Sequence, residues 1–458
     1  MQHCKISLVS LLLILVLSGF NFVKAQEAEL PTYEKVLQRM LELLKQDSAV
    51  QFEAGEWLAA LNDISVVPAF LDAMYLVKYP NKLNKSLKKI TGQNYGKNWP
   101  RWMEWLGQQE FEVHPAYQAF KQFLYRKIDP PFAAFLNPMF ESTIRWDEII
   151  WGGVKKNGIP ALDNPHMIPA EEASYLKDKD EVFGMTVNGE SHAYPLRIMN
   201  WHEMLNIEIG GKAISLSYCT LCGAAVPYET EIDGQIYTFG SSGLLYRSNK
   251  LMYDRQTNSL WSSLYGKPVV GPLVGKEIYL KRHYVVRTTW KKWIQQHPET
   301  LVLDLNTGFE RDYSPKGAYQ GYFRSKDTMF PIAWRDKRLN AKDWVYGIII
   351  DGFSKAYPLK HLKNSQVLND IFRDNNLVIL SDAKKLTVRV YKRREYEFVA
   401  LASAGLIIDR QGNEWQISEE ALELKSQQVR LNRLPGHLAY WFGWYAFFRN
   451  TEVWEKPN

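Results

Sequence analysis

Cysteine is scarce in this chain, with three residues among 458. Disulfide-stapled domains carry many cysteines in a short chain, so this count excludes that class of protein. A strong excess of one charge is also absent, because 56 Lys and Arg stand against 50 Asp and Glu. The resulting net charge of +6 is too small for a nucleic-acid binder that relies on a dominant basic field.

Several sequence motifs are missing as well. No Gly-x-Gly-x-x-Gly follows a predicted strand, and no glycine-rich phosphate-binding loop ends in Lys, which disfavours nucleotide-dependent enzymes. The segment Gly240–Gly243 lacks the Gly-x-Ser-x-Gly spacing of a hydrolase nucleophile, so it predicts a turn or a nest of backbone donors. What the chain does have is 46% apolar and 14% aromatic residues, which predicts a folded protein with a large core.

Residues 1–25 have the pattern of a secretory signal peptide. Lys5 precedes the apolar run Ile6–Leu17, and small or β-branched residues precede a cut after Ala25. The alternative is an N-terminal membrane anchor, which is disfavoured because the run is shorter than the ~20 residues that span a bilayer. We expect cleavage near Ala25 and a periplasmic or otherwise extracytoplasmic protein without a transmembrane segment in the mature chain.

The next part of the chain has a helical pattern. From about residue 31 to residue 126, apolar residues recur three and four positions apart, with no strand-like alternation between them. Short helices joined by polar turns are typical of a HEAT-like helical repeat. The length of the whole chain predicts two to four domains, and we assign residues 26–145 to a HEAT-like domain that offers a surface for a protein partner.

The remainder contains an internal repeat. The pattern of residues 182–206 recurs at one constant offset in residues 345–369. A second constant offset relates the pair Trp290 and Trp293 to Trp441 and Trp444. We therefore predict an α+β fold class, in which an N-terminal α-helical repeat domain is followed by two tandem copies of a mixed α+β module with antiparallel hairpins. The copies are assigned to residues 146–330 and 331–458.

Each copy is predicted to contain the same elements. A hairpin is expected at Asn188-Gly189 and at Asp351-Gly352, because these pairs suit a two-residue turn with positive φ. The remaining predictions are a helix over 197–205 and 361–372, a strand over 213–217 and 377–381, and a closing helix that carries the tryptophan pair. The tryptophans occur in both copies, so we expect them to pack in the cores.

Differences between the copies indicate where chemistry lies. A duplicated scaffold needs its core residues twice, whereas a single active site is needed once. Opposite the segment 218–223 the second copy has residues 382–387, which contain no cysteine. Opposite His202 and Glu203 it has Ser365 and Gln366. The reactive groups are therefore expected in the first copy.

Cys219 and Cys222 form a Cys-x-x-Cys-Gly motif directly after a predicted strand. The motif favours a metal site, in which two thiolates bind one ion and the glycine permits a tight turn. His202, Glu203 and Asp254 are the predicted additional ligands. Thiolate together with imidazole suits copper or zinc, and whether such an ion catalyses a reaction is left open.

Two other interpretations use the same pair of cysteines. The spacing also suits a thiol–disulfide oxidoreductase, whose first thiol would be activated by a helix N-terminus or a cation such as Arg255. Alternatively, the pair forms a structural disulfide in an oxidising compartment, and the protein is a non-catalytic interaction protein. The sequence alone does not decide among the three.

Other polar residues carry weaker signals. The string His202-Glu203 begins like a zincin helix, but Asn206 stands where the second histidine would be, which excludes that motif. His166, His192 and His283 are weaker candidates for metal ligands. A basic cluster alternates along a predicted strand and is expected to form a solvated face; it consists of Lys384, Lys385, Arg389, Lys392, Arg393 and Arg394.

Over about residues 160–455 the chain resembles the family called domain of unknown function 3179. The strings that carry the resemblance are Trp201-His202-Glu203, Tyr218–Gly223, Phe239–Tyr246 and Met252–Trp261. The family's usual strings have Pro and Asp where this chain has Thr220 and Ile207. The resemblance implies a fold and a site location, and it implies no particular reaction.

Overall fold

The computed structural model describes residues 32–456, apart from 77–79, 316, 364 and 404. The expected signal peptide and its cleavage site lie outside the described residues. Within the described part of the chain, none of the helices combines the length and the apolar character that a bilayer crossing needs.

The N-terminal part is helical, as the apolar spacing predicts. Asp47 caps the second helix by accepting hydrogen bonds from the N–H groups of Ala49 and Val50. The HEAT-like pairing of these helices stays a prediction. The helices are α1 (Tyr33–Glu42), α2 (Ser48–Ala60), α3 (Val67–Leu76), α4 (Pro80–Thr91), α5 (Trp99–Gly107), α6 (Pro115–Ile128) and α7 (Phe132–Phe135).

A strand-rich region follows, which makes the fold broadly α+β. Its helices are α8 (Leu196–His202) and α9 (Trp290–Gln296). Its strands are β1 (Ile149–Trp151), β2 (Leu162–Asp163), β3 (Met167–Pro169), β4 (Glu181–Val187), β5 (Glu190–Pro195), β6 (Met204–Ile209), β7 (Lys212–Cys219), β8 (Ala224–Glu229), β9 (Glu231–Ile232), β10 (Gln235–Ile236), β11 (Phe239–Tyr246), β12 (Asn249–Asp254), β13 (Leu260–Ser262), β14 (Lys267–Val270), β15 (Lys281–Arg282), β16 (Val286–Thr289) and β17 (Leu301–Leu303).

The last part of the chain is again rich in strands. Its helices are α10 (Gln320–Arg324) and α11 (Trp441–Tyr445). Its strands are β18 (Trp344–Ile350), β19 (Phe353–Pro358), β20 (Val367–Phe372), β21 (Asn375–Asp382), β22 (Thr387–Lys392), β23 (Phe398–Ser403), β24 (Leu406–Asp409), β25 (Glu414–Ile417), β26 (Ala421–Leu424), β27 (Val429–Asn432), β28 (Gly436–Tyr440) and β29 (Glu452–Val453). Short 3-10 helices occur at Ile64–Val66, Trp146–Glu148, Ala170–Glu172, Ala383–Lys385 and Lys425–Gln427.

Both predicted hairpins are confirmed. Strands β4 and β5 pair antiparallel around Asn188 and Gly189, whose φ angles are 49° and 86°. Strands β18 and β19 pair in the same way around Asp351 and Gly352, at φ 51° and 80°. Positive φ at both turn residues matches the right-handed twist of the two strands, which is why Asn-Gly and Asp-Gly occur there.

Two sheets of the strand-rich regions have the same arrangement over four strands. One has the order β16-β4-β5-β17-β3, and the other has the order β28-β18-β19-β29. In each sheet, the second strand of the hairpin pairs in parallel with a strand from later in the chain. These pairs are β5 with β17 and β19 with β29. The sheet β15-β8-β7-β6-β2 and the sheet β20-β21-β22 share an antiparallel three-stranded meander.

The tryptophan pairs pack in the interior, as expected from their occurrence in both patterns. Trp293 donates from its indole to the hydroxyl of Thr300 at 2.9 Å, and Trp444 does the same to Thr451 at 3.0 Å. Both indoles are fully buried, so these hydrogen bonds satisfy donors that water cannot reach. Trp290 and Trp441 are buried as well.

Two of the predicted helices are corrected by the structure. The helix expected over 361–372 is wrong, because residues Val367–Phe372 form strand β20 and pair antiparallel with β21. Its neighbouring strand offers a full ladder of backbone hydrogen bonds, and this tertiary pairing overrides the local apolar spacing. The helix expected over 197–205 ends at His202, because Glu203 adopts a left-handed conformation with φ 55°.

The largest hydrophobic core is shared by distant parts of the chain. It contains Met40 from α1, Trp102 from α5, Trp261 from β13 and Trp444 from α11. The N-terminal helices thus pack into the same core as the strand-rich regions. Cys219 and Cys222 also belong to this core, which places the candidate site in the interior rather than on the surface.

Candidate functional site

The two cysteines lie at a tight turn between strands β7 and β8. Cys219 is the last residue of β7 and pairs with Ala224, the first residue of β8. The turn closes at Gly223, whose φ of 67° falls in the left-handed region that favours glycine. A Cβ atom at this position would overlap the indole ring of Trp344, so both the backbone and the packing require glycine.

The sulfur atoms are close together and shielded from solvent. The two cysteines approach to 3.2 Å and are free, and their exposed fractions are 2% for Cys219 and 0% for Cys222. The Nδ2 atom of Asn249 donates to the Sγ atom of Cys222 at 2.9 Å. Ser263 donates to the Oδ1 atom of the same amide at 2.6 Å, which fixes the orientation of Asn249.

The surroundings drive the two thiols apart in acidity. Burial raises the pKa of the Cys222 thiol well above its ordinary value, and the neighbouring Cys219 raises it further. Burial also acts on Cys219, but there the hydrogen bond from Cys222 and the backbone N–H groups of Lys250 and Cys222 more than offset it. The net result is a lowered pKa for Cys219. The pair therefore contains one acidic and one weakly acidic thiol.

A buried lysine and a buried glutamate lie beside the thiols. The ammonium group of Lys250 donates to the backbone carbonyl of Glu203, and its charge interacts with both sulfurs. The side chain of Glu203 accepts a hydrogen bond from Thr220, the residue that follows Cys219. Burial lowers the pKa of Lys250 and raises that of Glu203, while the opposite charge of each partner counteracts the effect.

Later segments of the chain close the site from the other side. The backbone N–H of Tyr440 donates to the carbonyl of Cys222 at 2.7 Å, and the hydroxyl of Tyr322 donates to the carbonyl of Leu221 at 2.5 Å. Gly443 lies so close to Cys222 that a Cβ atom there would overlap the Cβ atom of the cysteine. Residues from the last part of the chain are thus part of the wall around the sulfurs.

Of the five residues predicted as metal ligands, the structure brings together Cys219, Cys222 and Glu203 around one turn, and it places the other two elsewhere. The ring of His202 uses both nitrogens, since Nδ1 lies 2.9 Å from the carbonyl of Pro160 and Nε2 lies 2.5 Å from the hydroxyl of Tyr313. A carbonyl can only accept, so Nδ1 carries the proton and Nε2 accepts from the tyrosine. This histidine therefore has no free nitrogen for a metal.

Asp254 has a local structural role. Its Oδ1 atom accepts from the backbone N–H of Thr257 at 2.6 Å, and its Oδ2 atom accepts from the indole of Trp261 at 2.8 Å. Asp409 accepts from the indole of Trp415 at 2.9 Å in the same manner. The sequence has the same string at both places, Asp254-Arg255-Gln256 and Asp409-Arg410-Gln411. The shared contact leaves Asp254 as a turn and indole acceptor.

The described residues contain no group of three or more His, Cys, Asp and Glu side chains that could hold a metal ion. The weaker histidine candidates have other partners. His166 lies 3.0 Å from Asp304, His192 lies 2.7 Å from Glu190, and His283 accepts from the N–H of Tyr284 at 2.8 Å.

Two other predictions around the motif are also corrected. Arg255, predicted as the activating cation, pairs instead with Asp163 at 2.9 Å, and Lys250 is the cation beside the sulfurs. The segment Gly240–Gly243 is neither a turn nor a nest, since it lies within strand β11, where the register with β12 shifts. Ser242 there donates to the carbonyl of Leu251 at 2.6 Å, which is a structural contact.

Asn249 and Lys250 were missed by reasoning from sequence, although a signal for them exists. The offset that relates Asp254 to Asp409 places Gly405 opposite Lys250 and Ala404 opposite Asn249. The matching positions therefore carry neither polar side chain, just as residues 382–387 contain no cysteine. The comparison that singles out the thiols would also have singled out these two residues.

Comparison with known proteins gives one match. The sequence model of a family described as a protein of unknown function (DUF3179) matches residues 156–451. This range contains the dithiol, Glu203, Asn249 and Lys250. No curated protein and no solved structure matches the chain.

Proposed function

The chain belongs to the DUF3179 family of proteins of unknown function, and we propose that it acts as an exported thiol–disulfide oxidoreductase through Cys219 and Cys222. The observation that carries this proposal is a pair of free cysteines 3.2 Å apart with the buried ammonium group of Lys250 beside both sulfurs. Thiol–disulfide exchange needs a nucleophilic thiolate and a second thiol within reach of it. Cys219 and Cys222 meet these two requirements in that order.

The reaction is a two-electron exchange with a disulfide. The Cys219 thiolate attacks one sulfur of the substrate disulfide, which forms a mixed disulfide and releases the other substrate sulfur as a thiolate. Cys222 then loses its proton and attacks the Sγ atom of Cys219, releasing the second substrate thiol. The protein ends with a Cys219–Cys222 disulfide, and the substrate has gained two electrons and two protons.

Two buried charges assist these steps. Lys250 stabilises the Cys219 thiolate because its ammonium group interacts with both sulfurs at low local dielectric. When the first substrate sulfur leaves as a thiolate, the Lys250 ammonium gives it a proton, and the resulting amine then accepts the proton that leaves Cys222; the pKa of Lys250, which burial lowers, favours both transfers. Since Cys219 is 2% exposed, we assign the reaction to a small disulfide rather than to a large folded protein.

The experiment that tests the proposal traps the mixed disulfide. Purified protein with Cys4 replaced by serine is reduced, freed of reductant and incubated with oxidised glutathione. The proposal expects a Cys219–Cys222 disulfide in the parent and a stable glutathione adduct in Cys222→Ser. It expects no adduct in Cys219→Ser, which serves as the matched control. A bridge that forms on purification and resists reduced glutathione would favour a structural disulfide and contradict the proposal.

Metal binding is the second candidate, because two buried sulfurs receive hydrogen bonds that stabilise thiolates. Zinc prefers four ligands, whereas soft thiolates select Cu(I), so the two-cysteine site favours copper over zinc. Two thiolates and one Cu(I) carry a charge of −1, which Lys250 neutralises. Metal analysis of the purified protein, and Cu(I) titration against a competing chelator, test this candidate. Equal copper content in the Cys219→Ser, Cys222→Ser double variant would exclude it.

We infer further that the protein is exported and that its strand-rich part consists of two tandem copies of one module, over residues 146–330 and 331–458. Support for the copies comes from the shared strand order, the paired hairpins and the equivalent hydrogen bonds of Trp293 and Trp444. Support for export comes from the pattern of residues 1–25. N-terminal sequencing of the secreted or periplasmic protein tests the cleavage site, and a start at Met1 would contradict it.

A further inference from the structure

A cavity of about 380 Å³ lies between the two strand-rich regions, beside the dithiol but separate from it. Asn200 of α8, Tyr218 of β7 and Arg287 of β16 line it on one side. Trp344 of β18 and Tyr440 of β28 line it on the other side. The volume lies in the range of pockets that hold small molecules, at its lower end, so a ligand of metabolite size would fit.

The cavity wall contains polar groups that the protein leaves without partners. Asn200 is 7% exposed, and its Oδ1 atom has no hydrogen-bond partner within the described part of the chain. Buried amides are almost always hydrogen-bonded, so an unpaired one in the wall of a polar cavity indicates a bound water or ligand. Tyr218 and Tyr440, whose hydroxyl groups can donate hydrogen bonds, line the same cavity.

The charged groups of the wall leave one positive charge in excess. Arg197 pairs with Asp180 at 2.6 Å, and Arg287 pairs with Glu181 through two hydrogen bonds of 3.0 and 2.9 Å. Lys179 is exposed at the rim and makes no ion pair with any residue whose position is described. A carboxylate group of a ligand would therefore find an unpaired positive charge in this wall.

We propose that this cavity binds a small carboxylate that also carries a hydroxyl or ammonium group. The carboxylate accepts hydrogen bonds from the Tyr218 and Tyr440 hydroxyls, in a cavity whose wall carries the excess positive charge. The hydroxyl or ammonium group donates to the Oδ1 atom of Asn200. The ring of Trp344 forms an apolar wall for the carbon skeleton. It packs against Tyr440 in a tilted arrangement, with centroids 4.2 Å apart, and lies under the Arg287 guanidinium.

The inference does not depend on the dithiol chemistry. Neither cysteine lines the cavity, and the side chains of Tyr218 and Tyr440 belong to its wall while their backbones adjoin the cysteines. Ligand binding and thiol exchange can therefore be measured separately. A protein with both cysteines replaced by serine is expected to bind the same ligands.

Isothermal titration calorimetry on the full chain tests the inference with four probes. D-gluconate carries a carboxylate and hydroxyls, and glycylglycine carries a carboxylate and an ammonium group. Acetate has no donor group, and glucose has no carboxylate. We expect D-gluconate or glycylglycine to bind at least about tenfold more tightly than acetate and glucose, and the comparison of the first two identifies the donor. Absence of binding by both, or equal binding of glucose, would overturn the proposal.

Two variants place the binding in this cavity. Asn200→Ala and Tyr440→Phe are each expected to weaken the affinity for the binding probe at least about tenfold, because each removes one hydrogen-bond partner. Tyr445→Phe removes a hydroxyl outside the cavity and is expected to leave the affinity unchanged. Thermal unfolding of each variant shows whether the fold is kept. Undiminished binding in both cavity variants would place the probe elsewhere and contradict the proposal.

Discussion

The side-chain amide of Asn249 donates a hydrogen bond to the Sγ atom of Cys222, at a distance of 2.9 Å. The partner sulfur belongs to the less acidic thiol of the pair, and the amide lowers its pKa against the effect of burial. An N–H donor stabilises a thiolate or thiol more than the sulfur of a disulfide, which is a weaker acceptor. The amide therefore favours the reduced form of the pair.

Replacing Asn249 by alanine is expected to make the dithiol easier to oxidise. Loss of about 1 kcal/mol from the reduced form corresponds to a reduction potential roughly 20 mV more negative. Equilibration with glutathione buffers, followed by mass spectrometry, measures this shift. Asn94→Ala, at an exposed position paired with Asn84, is the control and should leave the potential unchanged. A potential that rises in Asn249→Ala would contradict the assigned role.

A second prediction concerns a buried ion cluster. Glu419 accepts hydrogen bonds from Arg389 and Arg433, and Arg433 also donates to the carbonyl of Val285 at 2.9 Å. The cluster thus ties the last part of the chain to the first strand-rich region. Glu419→Gln is expected to lower the free energy of unfolding by about 3–5 kcal/mol at pH 7, because it leaves two arginines without their partner.

The Glu419 carboxylate also makes the free energy of unfolding depend on pH. Its two arginines hold the pKa of Glu419, despite burial, far below the ordinary 4.5. A lowered folded pKa means that the stabilisation is present above pH 4.5 and is lost as the pH falls below it. Urea unfolding at pH 7 and pH 3 should therefore give converging stabilities for the parent and Glu419→Gln. Glu423→Gln, in an exposed pair with Arg430, should change stability by less than about 1 kcal/mol.

A third prediction concerns Asp147, which makes stability depend on pH in the opposite direction from Glu419. Burial raises the pKa of Asp147 to about 6 from 3.8, although Arg145 opposes the shift. The folded protein then binds the proton more tightly than the unfolded chain, so this stabilisation is full below pH 3.8 and is lost as the pH rises through about 6. Two pKa units correspond to about 3 kcal/mol.

Asp147→Asn keeps the side chain neutral and should remove this dependence. Relative to the parent, its free energy of unfolding is expected to rise by up to about 3 kcal/mol between pH 4 and pH 7. Denaturant unfolding over that pH range makes the comparison. Asp178→Asn, in an exposed pair with Lys291, is the control and should follow the parent at each pH. A constant difference between Asp147→Asn and the parent would contradict the raised pKa.

A fourth prediction uses the two equivalent glycines under the buried indoles. A Cβ atom at Gly184 would overlap the ring of Trp293, and one at Gly347 would overlap the ring of Trp444. Gly184→Ala and Gly347→Ala are each expected to destabilise the protein by about 1–3 kcal/mol through overpacking. Gly321→Ala, where no atom lies within 4 Å of the added Cβ, should be neutral or slightly stabilising in thermal unfolding. A large loss of stability in Gly321→Ala alone would contradict the assigned packing role of Gly184 and Gly347.

Part of this structure could be predicted from sequence because the signals are local. Asn-Gly and Asp-Gly fix a hairpin turn by the backbone conformation of two residues, and both hairpins occur where expected. The Cys-x-x-Cys-Gly string likewise fixed the position of the thiols at a strand end. The broad α+β composition followed from the change of apolar period along the chain.

Features that depend on distant contacts were missed or wrong. Arg389, predicted on a solvated face, is buried against Glu419, which lies in the turn between β25 and β26 and gives no local signal. The ring of His202 is occupied by Pro160 and Tyr313, whose approach no spacing rule reveals. Lys250 reaches the sulfurs because β12 packs against β7, which belongs to a different sheet.

The contact between Gly443 and Cys222 couples two positions that are far apart in sequence. Since any side chain at 443 would collide with the cysteine, a larger residue there requires the backbone around Cys222 to shift. Helix α11, which carries Gly443, is therefore a closely fitted cover over Cys222. Loss of that cover would free the neighbouring sulfur to meet water and oxidants directly.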